Sequence, residues 1–160
     1  MTPREVRTDT ALPPPVRRGD VPSLDPHHFG ITVTDLDPAV EFYRDTFDLG
    51  TPERFSVSGE AFADGVGVDG ATGRFAHFVC DGARIELVEY DPEGPDATGA
   101  AVNQPGAKHI GLAVDDVDAF YADLDPSVET LSEPRTTESG TRILFVRDPD
   151  GNLIEVLELS

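Results

Sequence analysis

The chain has 160 residues, 38% of them hydrophobic, which is enough for one ordinary domain or two very small ones. Thirty-one acidic residues against twelve basic ones leave a formal net charge of −19, a surface that repels nucleic acid and anionic membrane and excludes both as partners. No apolar run is long enough to span a bilayer, no signal-peptide core is recognisable near Met1, and the single cysteine, Cys80, has no internal partner, so a cytoplasmic protein is expected.

Lys108 is the only lysine; every other cation is arginine. Such a surface also repels itself unless salt screens it, and a halophilic protein is expected. Residues 1–25 stand apart. The stretch "TALPPPVRRGDVPSLDP" is proline-rich, poor in large apolar side chains, and reads as an extended or disordered arm.

After the arm the chain repeats itself. "FGITV" (29–33) and "IGLAV" (110–114) have strand composition, and each is preceded by a histidine, His28 or His109, 81 residues apart. Each strand leads into an acidic helix start. "DLDPAVEFYRDTF" predicts a helix with Asp37 as N-cap and Pro38 at its first position, ending at Gly50. "DVDAFYADL" predicts its counterpart, capped by Asp118 and ended by Asp125-Pro126. A further strand is expected near 54–61 and again near 128–135. Two hairpins follow in parallel: "FAHFVCDGARIELVEY" (75–90) matches "RILFVRDPDGNLIEVLEL" (142–159) if two extra residues are allowed in the second turn. The order is β-α-β-β-β, twice: module one 26–91, a Pro/Gly-rich linker 92–106, and module two 107–159.

Strand side chains alternate, so residues two apart share a face. Phe29, Ile31 and Val33 oppose His28, Gly30 and Thr32; Ile110, Leu112 and Val114 oppose His109, Gly111 and Ala113. The apolar face belongs under a helix, whereas the histidine face is lined by small residues and leaves open space. Parity also separates Glu86 from Glu89, and Glu155 from Glu158. Ile85, Leu87, Ile154 and Val156 look like core, which leaves Glu86 and Glu155 for the open face. Two histidines and two glutamates at repeat-equivalent positions suit a divalent ion such as Ni, Zn, Co, Mn or Fe. Glu89 and Glu158 read as solvated strand-end charges, His27 as structural on the opposite face, and Tyr90 as a packed strand-end tyrosine. His77 aligns with Leu144 and so receives no ligand role; it lines either the pocket or the core. Arg142 either binds an anionic group or sits at a hairpin mouth.

The pair "HHFGITVTDLD…AVEFYRDTFDLG" and "KHIGLAVDDVDAFYADL…FVRDPDGNLIEVLEL" resembles the vicinal oxygen chelate superfamily. That group contains glyoxalase I, methylmalonyl-CoA epimerase, extradiol dioxygenases, and the fosfomycin and bleomycin resistance proteins. The resemblance covers residues 26–159. It implies an α+β fold of two paired βαβββ modules, forming an open, cupped, eight-stranded mixed sheet with the helices outside. It places one divalent ion on His28, Glu86, His109 and Glu155, a set most like that of glyoxalase I. By that likeness the protein is a metal-dependent lyase or isomerase that stabilises the enediolate of a thiol adduct of a 2-oxoaldehyde. Glu155 would carry the proton and Glu86 would act beside it. The ion would be Ni, Zn, Co or Mn, or Fe if the protein is instead an extradiol-type dioxygenase acting on a catechol-like substrate. A ligand-sequestering, resistance-type binding protein is the remaining alternative. A small-molecule substrate and a homodimer are expected.

Overall fold

The computed structural model describes residues 25–99 and 101–160, so the expected arm lies outside the described residues except for Asp25. In chain order the elements are β1 (Phe29–Thr32), α1 (Leu36–Phe47), β2 (Glu53–Val57), α2 (Glu60–Val66), β3 (Thr72–Cys80), β4 (Ala83–Asp91), β5 (His109–Ala113), α3 (Val117–Asp123), β6 (Arg135–Thr136), β7 (Arg142–Arg147) and β8 (Leu153–Glu158). The eight strands divide into two four-stranded mixed sheets of the same topology, ordered β1-β4-β3-β2 and β5-β8-β7-β6. In each, the first strand runs parallel to the last and the remaining pairs are antiparallel. This is the α+β, paired-module architecture, and neither sheet closes into a barrel.

The helix starts differ from the sequence expectation. Asp35, not Asp37, is the N-cap of α1: its carboxylate accepts the Asp37 N–H at 3.3 Å. Asp116, not Asp118, caps α3 by accepting the Ala119 N–H at 2.9 Å. Pro38 is compatible with this frame because no N–H in the first helical turn has an intrahelical partner, so a proline fits there without losing a bond. Asp37 and Asp118 are thereby free to pair with arginines: Arg54 and Arg74 reach Asp37, and Arg142 grips Asp118 with two nitrogens at 2.8 and 2.7 Å. Arg142 thus sits at a hairpin mouth as an intramolecular tie. The helices also end early. α1 stops at Phe47, with Asp48 in the left-handed region (φ 52°), and α3 stops at Asp123.

Glu89 and Glu158 are not solvated strand-end charges. Both accept the first N–H of a helix, Leu36 for one and Val117 for the other. A carboxylate there satisfies an orphan donor and meets the positive end of the helix dipole. The strand expected near 54–61 ends at Val57, and an unforeseen helix, α2, takes up the rest. The strand expected near 128–135 shrinks to β6, preceded by an isolated bridge from Thr130 to Val146.

Leu36, Ala39, Val40 and Tyr43 form the buried stripe of α1, at the three- and four-residue spacing of one helix face. They close on Ala76, Phe78, Ile85 and Leu87 of their own sheet and on Ile154 of the other. Ile110 and Leu112 of β5 join the same cluster, and Phe42 and Phe47 of α1 pack on Val117, Leu144, Val146 and Val156. The helix-facing sides of both sheets therefore share one apolar core. Tyr43 extends it with a polar tie, donating its hydroxyl to the buried Asp148 at 2.9 Å. Among the described residues no helix is long and apolar enough to cross a membrane.

Candidate functional site

The alternation of β1, β4 and β3 sets one face of the first sheet. Gly30 pairs with Glu86 and Glu86 with His77, so these positions line up across three strands. On that face His28 Nε2 lies 3.6 Å from Glu86 Oε1. The second sheet repeats the arrangement: Gly111 pairs with Glu155, and His109 Nε2 lies 3.4 Å from Glu155 Oε2. Both separations are long for a hydrogen bond. They are close to the about 3 Å expected between adjacent donors that each sit about 2.1 Å from one ion. The imidazoles are open to solvent, at 40% and 42% side-chain exposure, while Glu86 and Glu155 are set deeper at 13% and 24%.

The two glycines keep the space beside the carboxylates clear. A Cβ on Gly30 would stand 3.5 Å from Glu86 Oε1 and 3.9 Å from His28 Cδ2; one on Gly111 would stand 4.0 Å from Glu155 Oε2. The donor chemistry of each pair, one imidazole nitrogen and one carboxylate oxygen, fits half the shell of a divalent transition ion. The two halves do not meet within the described residues. No three of their His, Cys, Asp or Glu side chains gather in a way that would hold an ion. The reason is the shared core: the two sheets join through their helix-facing sides, so the faces bearing the His–Glu pairs lie outside it.

Two histidines given no ligand role belong to this site. His27 does not turn away; its Nδ1 lies 2.8 Å from His28 Nδ1. When His28 donates through that nitrogen, its Nε2 is left with a lone pair toward Glu86. His77 does not match Leu144. The register opposes His77 to Glu86 and Phe145 to Glu155, so Phe145 is the repeat mate of His77 and the second turn is one residue longer, not two. His77 Nε2 hydrogen-bonds Glu86 Oε2 at 2.6 Å. The signal was present in the sequence as a histidine nine residues before Glu86 across a short hairpin, but a one-residue error in the turn matched it to Leu144 instead of Phe145.

The far end of the first open face is filled. Phe75 is buried beneath Phe55, Phe62 and Tyr90, with ring centroids 5.0, 6.1 and 6.4 Å away, so α2 caps that end through Phe62 and Tyr90 is packed as expected. A separate cleft of about 490 Å³ runs between the modules and touches Phe47, Cys80, Leu112, Phe120 and Val156. None of the four candidate ligands lines it, and burial pushes the Cys80 thiol above its usual range, away from the reactive thiolate.

Known proteins share this fold. Residues 25–156 match the family model described as the Glyoxalase/Bleomycin resistance protein/Dioxygenase superfamily. The chain is 30% identical over 145 residues to a 2-epi-5-epi-valiolone epimerase of an Actinomyces species, covering 83% of this chain and 78% of that protein. It is 31% identical over 137 residues to the uncharacterized protein YaeR of Escherichia coli, covering 82% and 94%. A solved glyoxalase family protein from Bacillus cereus superposes with a TM-score of 0.76 at 27% identity, over 89% of this chain and 98% of that one. Glyoxalase I from Zea mays shares the fold at 22% identity, with a TM-score of 0.58 over 83% of this chain and 44% of its own. The chain belongs to the Glyoxalase/Bleomycin resistance protein/Dioxygenase superfamily.

Proposed function

We propose that this chain is a metal-dependent lyase or isomerase of the glyoxalase I type, which moves one proton at a carbon beside a substrate carbonyl. The observation that carries the reading is the pair of repeat-equivalent His–Glu couples, at 3.6 and 3.4 Å, each beside a glycine on an open sheet face. His28, Glu86, His109 and Glu155 would hold the divalent ion. When bound, that ion supplies positive charge against the negative charge developing on two substrate oxygens. Glu155 takes the proton from the substrate carbon through a carboxylate oxygen and returns it to the product. Glu86 holds its place beside His28. Gly30 and Gly111 leave room for the substrate atoms next to the carboxylates.

Because the two couples do not gather into one group of donors within the described residues, the complete four-donor site would be formed between two chains. One copy presents His28 and Glu86, and the other presents His109 and Glu155. A homodimer is therefore part of the proposal. The identity to a 2-epi-5-epi-valiolone epimerase supports a second reading, an epimerase, which needs the same proton removal followed by return to the other face.

The test is metal analysis of protein purified in high salt without chelator, beside Glu86→Ala. Near-stoichiometric Ni, Zn, Co or Mn that the variant loses supports the four-donor site, and iron retained by the variant supports the dioxygenase chemistry instead. Loaded protein is then incubated in D₂O with thiol adducts of 2-oxoaldehydes. Deuterium entering at the carbon beside the carbonyl, abolished in Glu155→Gln with metal retained, supports the reading. Wild-type exchange in Glu155→Gln refutes it.

A further inference from the structure

The two glutamates of the site are repeat mates, yet their surroundings differ at one position. In the first sheet the slot opposite the glutamate holds His77; in the second it holds Phe145. Each ring packs against the histidine of its own module: Phe145 edge-on against His109 with centroids 5.2 Å apart, and His77 stacked on His28 at 5.9 Å. Only His77 brings a hydrogen-bond donor.

Its bond to Glu86 is short, at 2.6 Å to Oε2, and the side chain is only 11% exposed. Phe55 stands perpendicular to the ring at 4.9 Å, so the imidazole is held between two neighbours. A donor so confined fixes the plane of the carboxylate it binds, because one Glu86 oxygen is tied and the other is aimed at His28. Glu155 has no such tie. Among the described residues its carboxylate makes no side-chain hydrogen bond, and His109 at 3.4 Å is its polar neighbour.

We infer that His77 is a positioning residue that pins Glu86 as a fixed metal ligand and leaves the repeat-equivalent Glu155 free to rotate and carry the proton. The inference rests on the proposed function, and it divides the labour of two glutamates that the repeat alone makes identical. A ligand is best immobile. A group that accepts a proton at one carbon and delivers it elsewhere must move and change its charge, which a permanent donor on its oxygen opposes.

The probe is the metal alone. Apo protein is titrated with Zn²⁺ by calorimetry and with Co²⁺ by its visible spectrum, for wild type, His77→Phe, which copies the slot of the second module, and His77→Gln, which keeps a donor. Wild type is expected to bind stoichiometrically. His77→Phe is expected to bind about 10- to 100-fold more weakly with an altered Co²⁺ spectrum, and His77→Gln to recover most of the affinity. In a Glu86→Ala background His77→Phe should change the remaining affinity less than about twofold, because its action runs through Glu86. Unchanged affinity and spectrum in His77→Phe would overturn the inference and leave the functional reading standing. So would a large further loss in the Glu86→Ala background, or a folded His77→Gln as weak as Glu86→Ala. No stoichiometric binding by wild type would overturn the functional reading and this inference with it.

Discussion

The Glu89 carboxylate accepts the Leu36 N–H at 2.7 Å, tying the last strand of the first module to the first turn of its helix. Glu158 does the same for Val117 at 3.0 Å in the second module. Arg74 backs Glu89 at 3.2 Å and also reaches Asp37. The helices are thus held to the sheets at their N-termini by charge as well as by apolar packing. Glu89→Ala and Glu158→Ala are each expected to cost about 1–2 kcal/mol, the range for losing a helix cap. Urea unfolding measures it, and a change below about 0.3 kcal/mol in both would remove the caps from the account.

Tyr43 and Asp148 make the corresponding tie between modules. Asp148 accepts from the Tyr43 hydroxyl, the Asn152 amide and the backbone N–H groups of Asp150 and Asn152. Tyr43→Phe leaves this buried carboxyl short of one donor and should destabilise the chain by about 1–3 kcal/mol. The expected signature is a lower denaturation midpoint with an unchanged slope.

Burial pushes the Asp148 carboxyl above its ordinary range, although its four donors pull the other way. The folded state therefore favours the protonated form, and this group's contribution is fully present below the ordinary carboxylate value and lost as pH rises through the elevated one. Asp37 and Asp118 act oppositely. Arg54, with Arg74, lowers the first and Arg142 lowers the second, so their contribution is lost as pH falls through their depressed values. Asp148→Asn should flatten the decline in stability between the ordinary and elevated carboxyl values, relative to wild type. Identical pH profiles by thermal melting would show that Asp148 does not titrate there.

Gly30 has no positive φ that would demand glycine, and an added Cβ meets only ordinary contacts. Gly30→Ala should therefore fold as well as wild type, or gain up to about 1 kcal/mol from the stiffer unfolded chain. Its methyl would occupy the space beside Glu86 Oε1, so Zn²⁺ affinity should fall about tenfold, or about 1.4 kcal/mol. Unchanged affinity would place the ion elsewhere.

The net charge of −19 predicts a strong salt dependence. The screening length falls from about 10 Å at 0.1 M salt to about 3 Å at 1 M, so mutual repulsion among the surface carboxylates should weaken steeply. Melting temperature should climb between dilute buffer and 2 M NaCl. A flat profile would reject the halophilic reading.

The repeat was legible from residue order alone. Alternation in "HFGITV" and "HIGLAV" separates the core face from the histidine face, because a strand's side-chain period is two whatever surrounds it. The same arithmetic separates Glu86 from Glu89 and Glu155 from Glu158, and the apolar Ile85, Leu87, Ile154 and Val156 then leave Glu86 and Glu155 for the open face. These are local properties, set by backbone geometry and by the need to bury Ile31, Leu87 and Ile154.

Tertiary structure decided what local pattern leaves degenerate. The sequence contains Asp35 and Asp37, Asp116 and Asp118, all chemically able to cap. The choice fell where Glu89 and Glu158 reach the first helical N–H and where Arg54, Arg74 and Arg142 hold the spare carboxylates. His77 shows the same limit, since one residue in a turn decides which side of a sheet it occupies, and only the hydrogen-bonded register counts that residue. The packing of the two modules on one another is also a tertiary outcome. It depends on which apolar faces meet, and burial is non-directional, so no short stretch of sequence records it.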